Sequence, residues 1–182
     1  ETTPVGHFPD VVSLRKLAQT KKKEVHIIRG SGIGSLFEDE SPVEQDDCNT
    51  ITQRLVRDLT TEGAGIIGEI VLSSNRSICD IRCLSSAKAH FASGGAPILI
   101  IPSSPYNMDQ IEYAISILTE HQVPSSSIVV AGVYAYLQSS GGAAERIERD
   151  ILRRGVNLCI DIVGFERIVS RHFISEPLPS EE

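Results

Sequence analysis

The chain has 182 residues, 41% hydrophobic and 23% charged, with a formal net charge of −7 and a pI near 5.3. That length suits one domain with a sizeable core, and the acidic balance argues against a general binder of nucleic acid or of anionic membranes. No apolar stretch reaches the roughly 18 residues of a membrane span, and no signal peptide is visible, so the expected location is cytoplasmic. The chain opens on Glu1-Thr2-Thr3-Pro4 and not on Met, which reads as a piece of something longer or a processed product.

In chain order, Pro9 opens a first helix through Leu14 and Leu17. The run Lys21-Lys22-Lys23 follows it, with cations suited to a helix C-terminus. The first strand-like run is Val25–Arg29, and the polar, acidic stretch Ser35–Asp47 after it reads as a surface loop. A helix over residues 47 to 61, carrying Val56 and Leu59, leads to the second run, Gly65–Val71. Leu84, Ala87 and Phe91 mark the next helix, stopped by Gly94-Gly95, before the run Ala96–Ile101. Ile111, Ala114, Ile115 and Leu118 form one apolar helical stripe. Asn107 and Asp109 are its candidate N-caps, and Pro124 lies just beyond its end. The run Ile128–Val133 comes next, then a helix through Ile147, Ile151 and Leu152 with Gly155 at its C-terminal stop, then the run Leu158–Ile162. From Glu176 the two prolines and terminal acids read as a frayed tail.

The last three intervals between strand centres are about 31, 31 and 29 residues, the length of a strand–helix unit in a parallel α/β fold. Successive units of this kind build either a closed eight-stranded barrel or an open doubly wound sheet. Gly30-Ser31-Gly32-Ile33-Gly34 looks like a phosphate loop. It misses the G-x-G-x-x-G spacing, however, because its third glycine comes one residue early, and it leads into an acidic loop where a helix should start.

The run Gly65-Ile66-Ile67-Gly68-Glu69-Ile70 is short and apolar but interrupted by one carboxylate near its C-terminal end. A run of this kind reads as a strand buried on both faces. Glu69 must then be protonated, paired or bound to a cation, because an isolated buried charge is too costly. The C-terminal ends of strands are also where a parallel α/β protein builds its chemistry. The four cysteines, Cys48, Cys79, Cys83 and Cys159, include no C-x-x-C pair. Cys79 and Cys83 lie one helical turn apart, so a zinc site there would need two further ligands, and free thiols are the expectation. Asn75-Arg76-Ser77 fits a glycosylation sequon but carries no weight without a secretory signal.

Three patches resemble the phosphotriesterase-related proteins, metal-dependent hydrolases of the amidohydrolase superfamily with a (β/α)8 barrel. Leu14-Arg15-Lys16-Leu17-Ala18 running on through Glu24-Val25-His26-Ile27-Ile28 to Gly30-Ser31-Gly32 is like that family's second helix and third strand. Leu55-Val56-Arg57-Asp58-Leu59 followed by Ala64-Gly65-Ile66-Ile67-Gly68-Glu69-Ile70 is the closest patch, covering the family's fourth strand. The remaining units follow in matching order to Asp161-Ile162-Val163-Gly164, on what would be strand seven. The resemblance implies a partial TIM-type barrel of about five parallel strands with outer helices, spanning residues 1–175 as one domain, and a tail at 176–182.

In that family two metal ions, often zinc, share a bridging group on the fourth strand, and Glu69 matches the glutamate form of it. A bidentate anion between two cations supports a metal-bound hydroxide as nucleophile. The other expected ligands are a His-x-His on strand one, histidines ending strands five and six, and an aspartate ending strand eight. Here the strand-five position is Ile101 and the strand-six position is Gly132, and strands one, two and eight fall outside the expected span. His26 begins a strand, His90 and His121 fall on helices, and His7 and His172 are near the termini. Asp161 could join a metal site, with a structural role as the alternative.

One departure is expected to offset another. Arg29, where relatives carry a small residue, would adjoin Glu69 and neutralise it; the alternative is that Arg29 reaches solvent. Tyr134 and Tyr136 either fill the mouth of the vacated pocket or serve as packing residues.

Two readings follow. The first is a degenerate or fragmentary phosphotriesterase-related protein, a pseudoenzyme with a binding or structural role. It would take a small-molecule ligand or self-associate, with no nucleic-acid or membrane partner, and would not retain the family's two zinc ions. The second is an active zinc-dependent hydrolase of ester, lactone or amide bonds, with ligands from segments outside this chain. Since zinc demands about four ligands and only Glu69 can be named, the first reading is preferred.

Overall fold

The computed structural model describes residues 28–33, 47–103, 107–133 and 142–159, together with Lys16, Gln19 and Thr20. Five strands, β1 (Gly30–Ile33), β2 (Ile66–Val71), β3 (Ile98–Ile101), β4 (Ile128–Val130) and β5 (Asn157–Leu158), form one sheet in sequential order. Every neighbouring pair is parallel. The helices between them are α1 (Cys48–Thr60), α2 (Arg76–Ala92), α3 (Met108–Glu120) and α4 (Ala143–Asp150). This is the α/β architecture expected from the spacing of the apolar runs.

Sequential order places each crossover beside the last. Helix α1 packs on α2 and α2 on α3, so the three share one face of the sheet, as crossovers of one hand require. Ion pairs from Arg146 to Asp109 (2.6 Å) and Glu112 (2.7 Å) fasten α4 to α3. Between the layers lies the core: Ile67, Ile70, Ile98, Ile100, Ile128 and Val130 from the sheet meet Ile51, Leu55, Ala87, Ile111, Ile115 and Leu118 from the helices. β-Branched residues fill the strands because they pack well on a pleated surface.

Local chemistry sets the helix starts. Asp47 caps α1 by accepting from the N–H groups of Asn49 (2.7 Å) and Thr50 (2.9 Å). Asn75, the sequon residue, caps α2 through the Ser77 N–H (3.0 Å). Of the two candidate caps for α3, Asn107 takes the role, accepting from the Gln110 N–H at 3.2 Å, and Asp109 sits inside the first turn. At the C-terminal end of α2, Gly94 and Gly95 adopt positive φ, as a helix stop requires. Among the described residues, no helix is long and apolar enough to cross a membrane.

Three expectations need correction. Of the expected run Val25–Arg29, residues 25–27 lie outside the described residues, and the first described strand begins after it, at Gly30. Gly30, Ser31 and Ile33 pair with Ile66, Ile67 and Ile70, and Arg29 is only a bridge residue before them. The glycine-rich segment is therefore a strand over Gly30–Ile33 and not a phosphate loop. Glycines in the backbone did not prevent pairing there: β2 supplies apolar partners to Gly30, Ser31 and Ile33, with an irregularity at Gly32. The apolar stripe of α2 is rotated from the one expected: Phe91 is 54% exposed, and the buried face is Cys79, Cys83, Ala87 and Ala89 with Ser85 and Ser86. The two serine hydroxyls bond to Ile81 and Arg82 carbonyls one turn back, which lets small polar residues line a tight contact. Helix α4 ends at Asp150, and Gly155 closes a separate 3-10 turn over Leu152–Arg154, in which Leu152 is exposed.

Candidate functional site at the C-terminal end of the sheet

Glu69 is the fourth of the six residues of β2, near its C-terminal end and half-buried, between strands that both run parallel to it. The Gly68–Glu69 peptide is cis. Beyond Glu69 the strand ends are stitched level with one another. The Leu72 N–H donates to the Ile101 carbonyl (2.8 Å), Ala131 to Ile100 (2.9 Å), and Cys159 to Val130 (2.8 Å).

The positions at which the resemblance would place histidines lie on this edge and touch each other. Ile101 ends β3, and Gly132 follows β4 with φ +72°. A Cβ at Gly132 would lie 2.8 Å from Ile101 Cγ1 and 3.2 Å from its Cδ1, with Pro102 Cδ at 3.5 Å. The Ile101 side chain thus fills the space that any side chain at position 132 would need. Since φ in this region also disfavours every residue with a Cβ, the two positions form one apolar closure.

The described histidines are remote from this edge. His90, near the C-terminal end of α2, is buried, and its Nδ1 lies 2.8 Å from the carbonyl of Ala96, just before β3. His121 is the C-cap of α3. Both therefore sit toward the N-terminal end of the sheet, where helix C-termini return. Among the described residues, no group of three or more His, Cys, Asp or Glu could hold a metal ion. The residues described at this edge do not fit a binuclear zinc centre: Glu69 is a suitable bridging oxygen donor, but the two positions where histidines are expected are Ile101 and Gly132, in contact with each other. His7, His26, His172, Asp161, Tyr134 and Tyr136 lie outside the described residues.

Arg29 does not adjoin Glu69. Its Nη2 pairs with Glu62 Oε2 (3.3 Å), and its Nη1 donates to the Glu62 carbonyl (3.3 Å). The alternative that Arg29 reaches solvent also fails, because the residue is 9% exposed. The reason is register. The Arg29 carbonyl accepts from the Gly65 N–H, which puts Arg29 about 13 Å from Glu69 along the strand direction, at about 3.3 Å per residue. Arg29 and Glu62 close the N-terminal end of the β1–β2 pair. Ser31, two residues on, donates to Asp58 of α1 at 2.8 Å.

One element of the edge was not anticipated. Gln110, 7% exposed, accepts from both the N–H and the hydroxyl of Ser103 (3.2 Å each). Its amide nitrogen donates to Ser74 Oγ (3.1 Å) and Ser103 Oγ (3.0 Å). This clasp ties the β2–α2 loop to the β3–α3 loop. The signal for it was present in Asn107-x-x-Gln110, a cap residue followed three positions later by Gln. In a capping box that Gln would return to the cap N–H; here it turns to the loops.

The sequence matches no model of a known protein family. No curated protein sequence matches it.

Proposed function

We propose that the chain is part of a (β/α)8 barrel of the phosphotriesterase-related type that keeps the scaffold without the binuclear zinc centre, and that its role is binding or structural. The observation that carries this reading is the closure by Ile101 and Gly132. Two positions that would supply metal-binding imidazoles are engaged in apolar contact, one of them with a left-handed backbone that disfavours a side chain. The sequential parallel order of β1 to β5 supports the barrel type, and the place of Glu69 on β2 supports the resemblance to the family. A small polar ligand at the C-terminal edge, near Glu69, is the binding role proposed; self-association through β1 and β5, the outer strands among the described residues, is the structural one, since strand edges invite pairing.

A zinc-dependent hydrolase is the second reading. Glu69, half-buried near a strand end, is the feature that favours it. Equilibrium dialysis against zinc with elemental analysis separates the two. The non-catalytic reading expects less than one tightly held equivalent, because about four ligands in fixed geometry are needed per ion. Two stoichiometric ions with esterase or lactonase turnover would replace it with the hydrolase reading.

A further inference from the structure

We propose that the polar group taken at the C-terminal edge is a primary ammonium on a short apolar chain, held by Glu69 beside a glycine floor between β1 and β2. This inference rests on the binding role proposed above and names its ligand class.

The register singles out the place. Ser31 pairs with Ile67 and Ile33 with Ile70, while on the other side Ile67 pairs with Ile98 and Ile70 with Ile100. Between those pairs β2 carries one residue more than either neighbour, a bulge at Gly68-Glu69. Side chains alternate between the two faces of a strand. Ile67 and Ile70 both belong to the core shared with the helices, so Gly68 and Glu69 both turn to the other face. Re-aiming a side chain is what a bulge does beside a functional site. On β1, Ser31 donates to Asp58 of α1 (2.8 Å) and so faces the helices. Gly32 therefore shares the face of Glu69.

Exposure marks the same spot. In the interior of β1 and β2 the half-buried positions are Gly32 and Glu69, and the residues on either side of each are buried. The two lie opposite one another in register, so solvent reaches a point where two glycines present no side chain and one carboxylate stands beside them. Glycine inside a strand marks close approach by another group. At Gly68 that group is Leu99, because a Cβ there would lie 2.6 Å from Leu99 Cβ. At Gly32 the approach is open to a ligand.

The chemistry of the spot selects a cation. Among the described strand residues Glu69 is the only charged one. Arg54 and Arg82 reach the same strands from the helix side and donate to backbone carbonyls, of Gly32 (3.3 Å) and Val71 (2.6 Å). A carboxylate has about four acceptor positions, so Glu69 keeps its interaction within the fold and still accepts from a ligand. An ammonium needs no set of protein ligands: it is a compact charge with three donors, one for Glu69 and the rest for water. Ile66, three residues before Glu69 and half-buried on the same face, supplies hydrocarbon for the attached chain.

The test titrates the full chain at neutral pH with butylamine, which is then protonated, and with butan-1-ol as its neutral counterpart, reading the amide NMR shifts of Gly30–Ile33 and Ile66–Val71. Butylammonium should give saturable shifts there, with butan-1-ol at least about 10-fold weaker, since a charge-assisted hydrogen bond is roughly twice as strong as a neutral one. Glu69→Gln keeps the shape and removes the charge, and should weaken butylammonium at least about 10-fold. Gly32→Val covers the floor with a residue that strands accept, and should do the same. The two probes are compared on the unaltered chain, so they decide the matter even where a variant folds poorly. No saturable shift, equal binding of butan-1-ol, or undiminished binding by a folded Glu69→Gln chain would overturn the inference. Zinc retention in the dialysis experiment would instead strike the non-catalytic reading, so the two fail separately.

Discussion

Between β3 and β4 the C-terminal end of the sheet is closed by hydrocarbon, whereas between β2 and β3 it is tied by hydrogen bonds. The first contact, Ile101 over Gly132, needs only shape: a missing Cβ and a left-handed backbone make room for an isoleucine. The second, Gln110 with Ser74 and Ser103, needs every donor aimed at an acceptor. Two neighbouring strand junctions thus do the same mechanical work by different physics. They should also fail differently: overpacking breaks the first, and loss of a single partner atom breaks the second.

The largest effect is expected at the apolar closure. Gly132→His should destabilise by about 3 kcal/mol or more, combining left-handed backbone strain of about 1–2 kcal/mol with overpacking of about 1–3 kcal/mol. Urea unfolding measures it, and a change under about 1 kcal/mol would mean that Ile101 swings clear. Pairing Gly132→Ala with Ile101→Ala sharpens the point. The two should couple by about 0.5–1 kcal/mol or more, because removing Ile101 Cγ1 removes the clash.

At the polar junction, Gln110→Ala should cost about 2 kcal/mol, since it strips a buried amide that makes four hydrogen bonds and leaves Ser103 without its partner. Gln110→Glu should cost as much or more, because a carboxylate cannot donate to Ser74. Equal stability of Gln110→Glu and the parent chain would show that water already replaces one side of the clasp.

The opposite end of the sheet gives a third comparison. Arg29→Ala should cost about 1–2 kcal/mol, from lost packing of the stem and lost bonds to Glu62. Removing one partner of a fully buried pair costs about 3–5 kcal/mol, but the Glu62 side chain is 38% exposed and can be solvated instead. In a double-mutant cycle, Arg29→Ala and Glu69→Gln should be additive within about 0.5 kcal/mol. Strong coupling would contradict the register that separates them.

The smallest effect concerns a cap. Backbone N–H groups of Thr50 and Asn49 hold the Asp47 carboxyl below its usual range in the fold. A depressed folded value stabilises the fold above the unfolded value, and that contribution disappears as pH falls through the folded one. Asp47→Asn, which keeps a capping oxygen but not the charge, should therefore be slightly less stable than the parent at neutral pH and should show a flatter acid limb below about pH 5. Thermal melts across that range check it; identical slopes would show that the cap is not felt.

Much of the fold was legible in the sequence because it depends on local signals repeated at a fixed interval. The runs around Ile67, Ile100 and Val130 are too apolar to be exposed and too short for helices. The stripe Ile111, Ala114, Ile115, Leu118 could bury only as a helix face, and all four residues are buried. Asn107 and Gly94-Gly95 were readable because caps and stops act within one turn of chain. What the sequence could not determine depended on neighbours distant in the chain. The start of β1 was set by its register with β2, and that register moved Arg29 from Glu69 to Glu62. The buried face of α2 was set by packing against α1 and the sheet, which chose Cys79 and Cys83 over Phe91. The glycine at 132 and the isoleucine at 101 are each unremarkable alone; only the tertiary structure brings them within contact, because the edge of a parallel sheet aligns residues that lie about one βα unit apart in sequence.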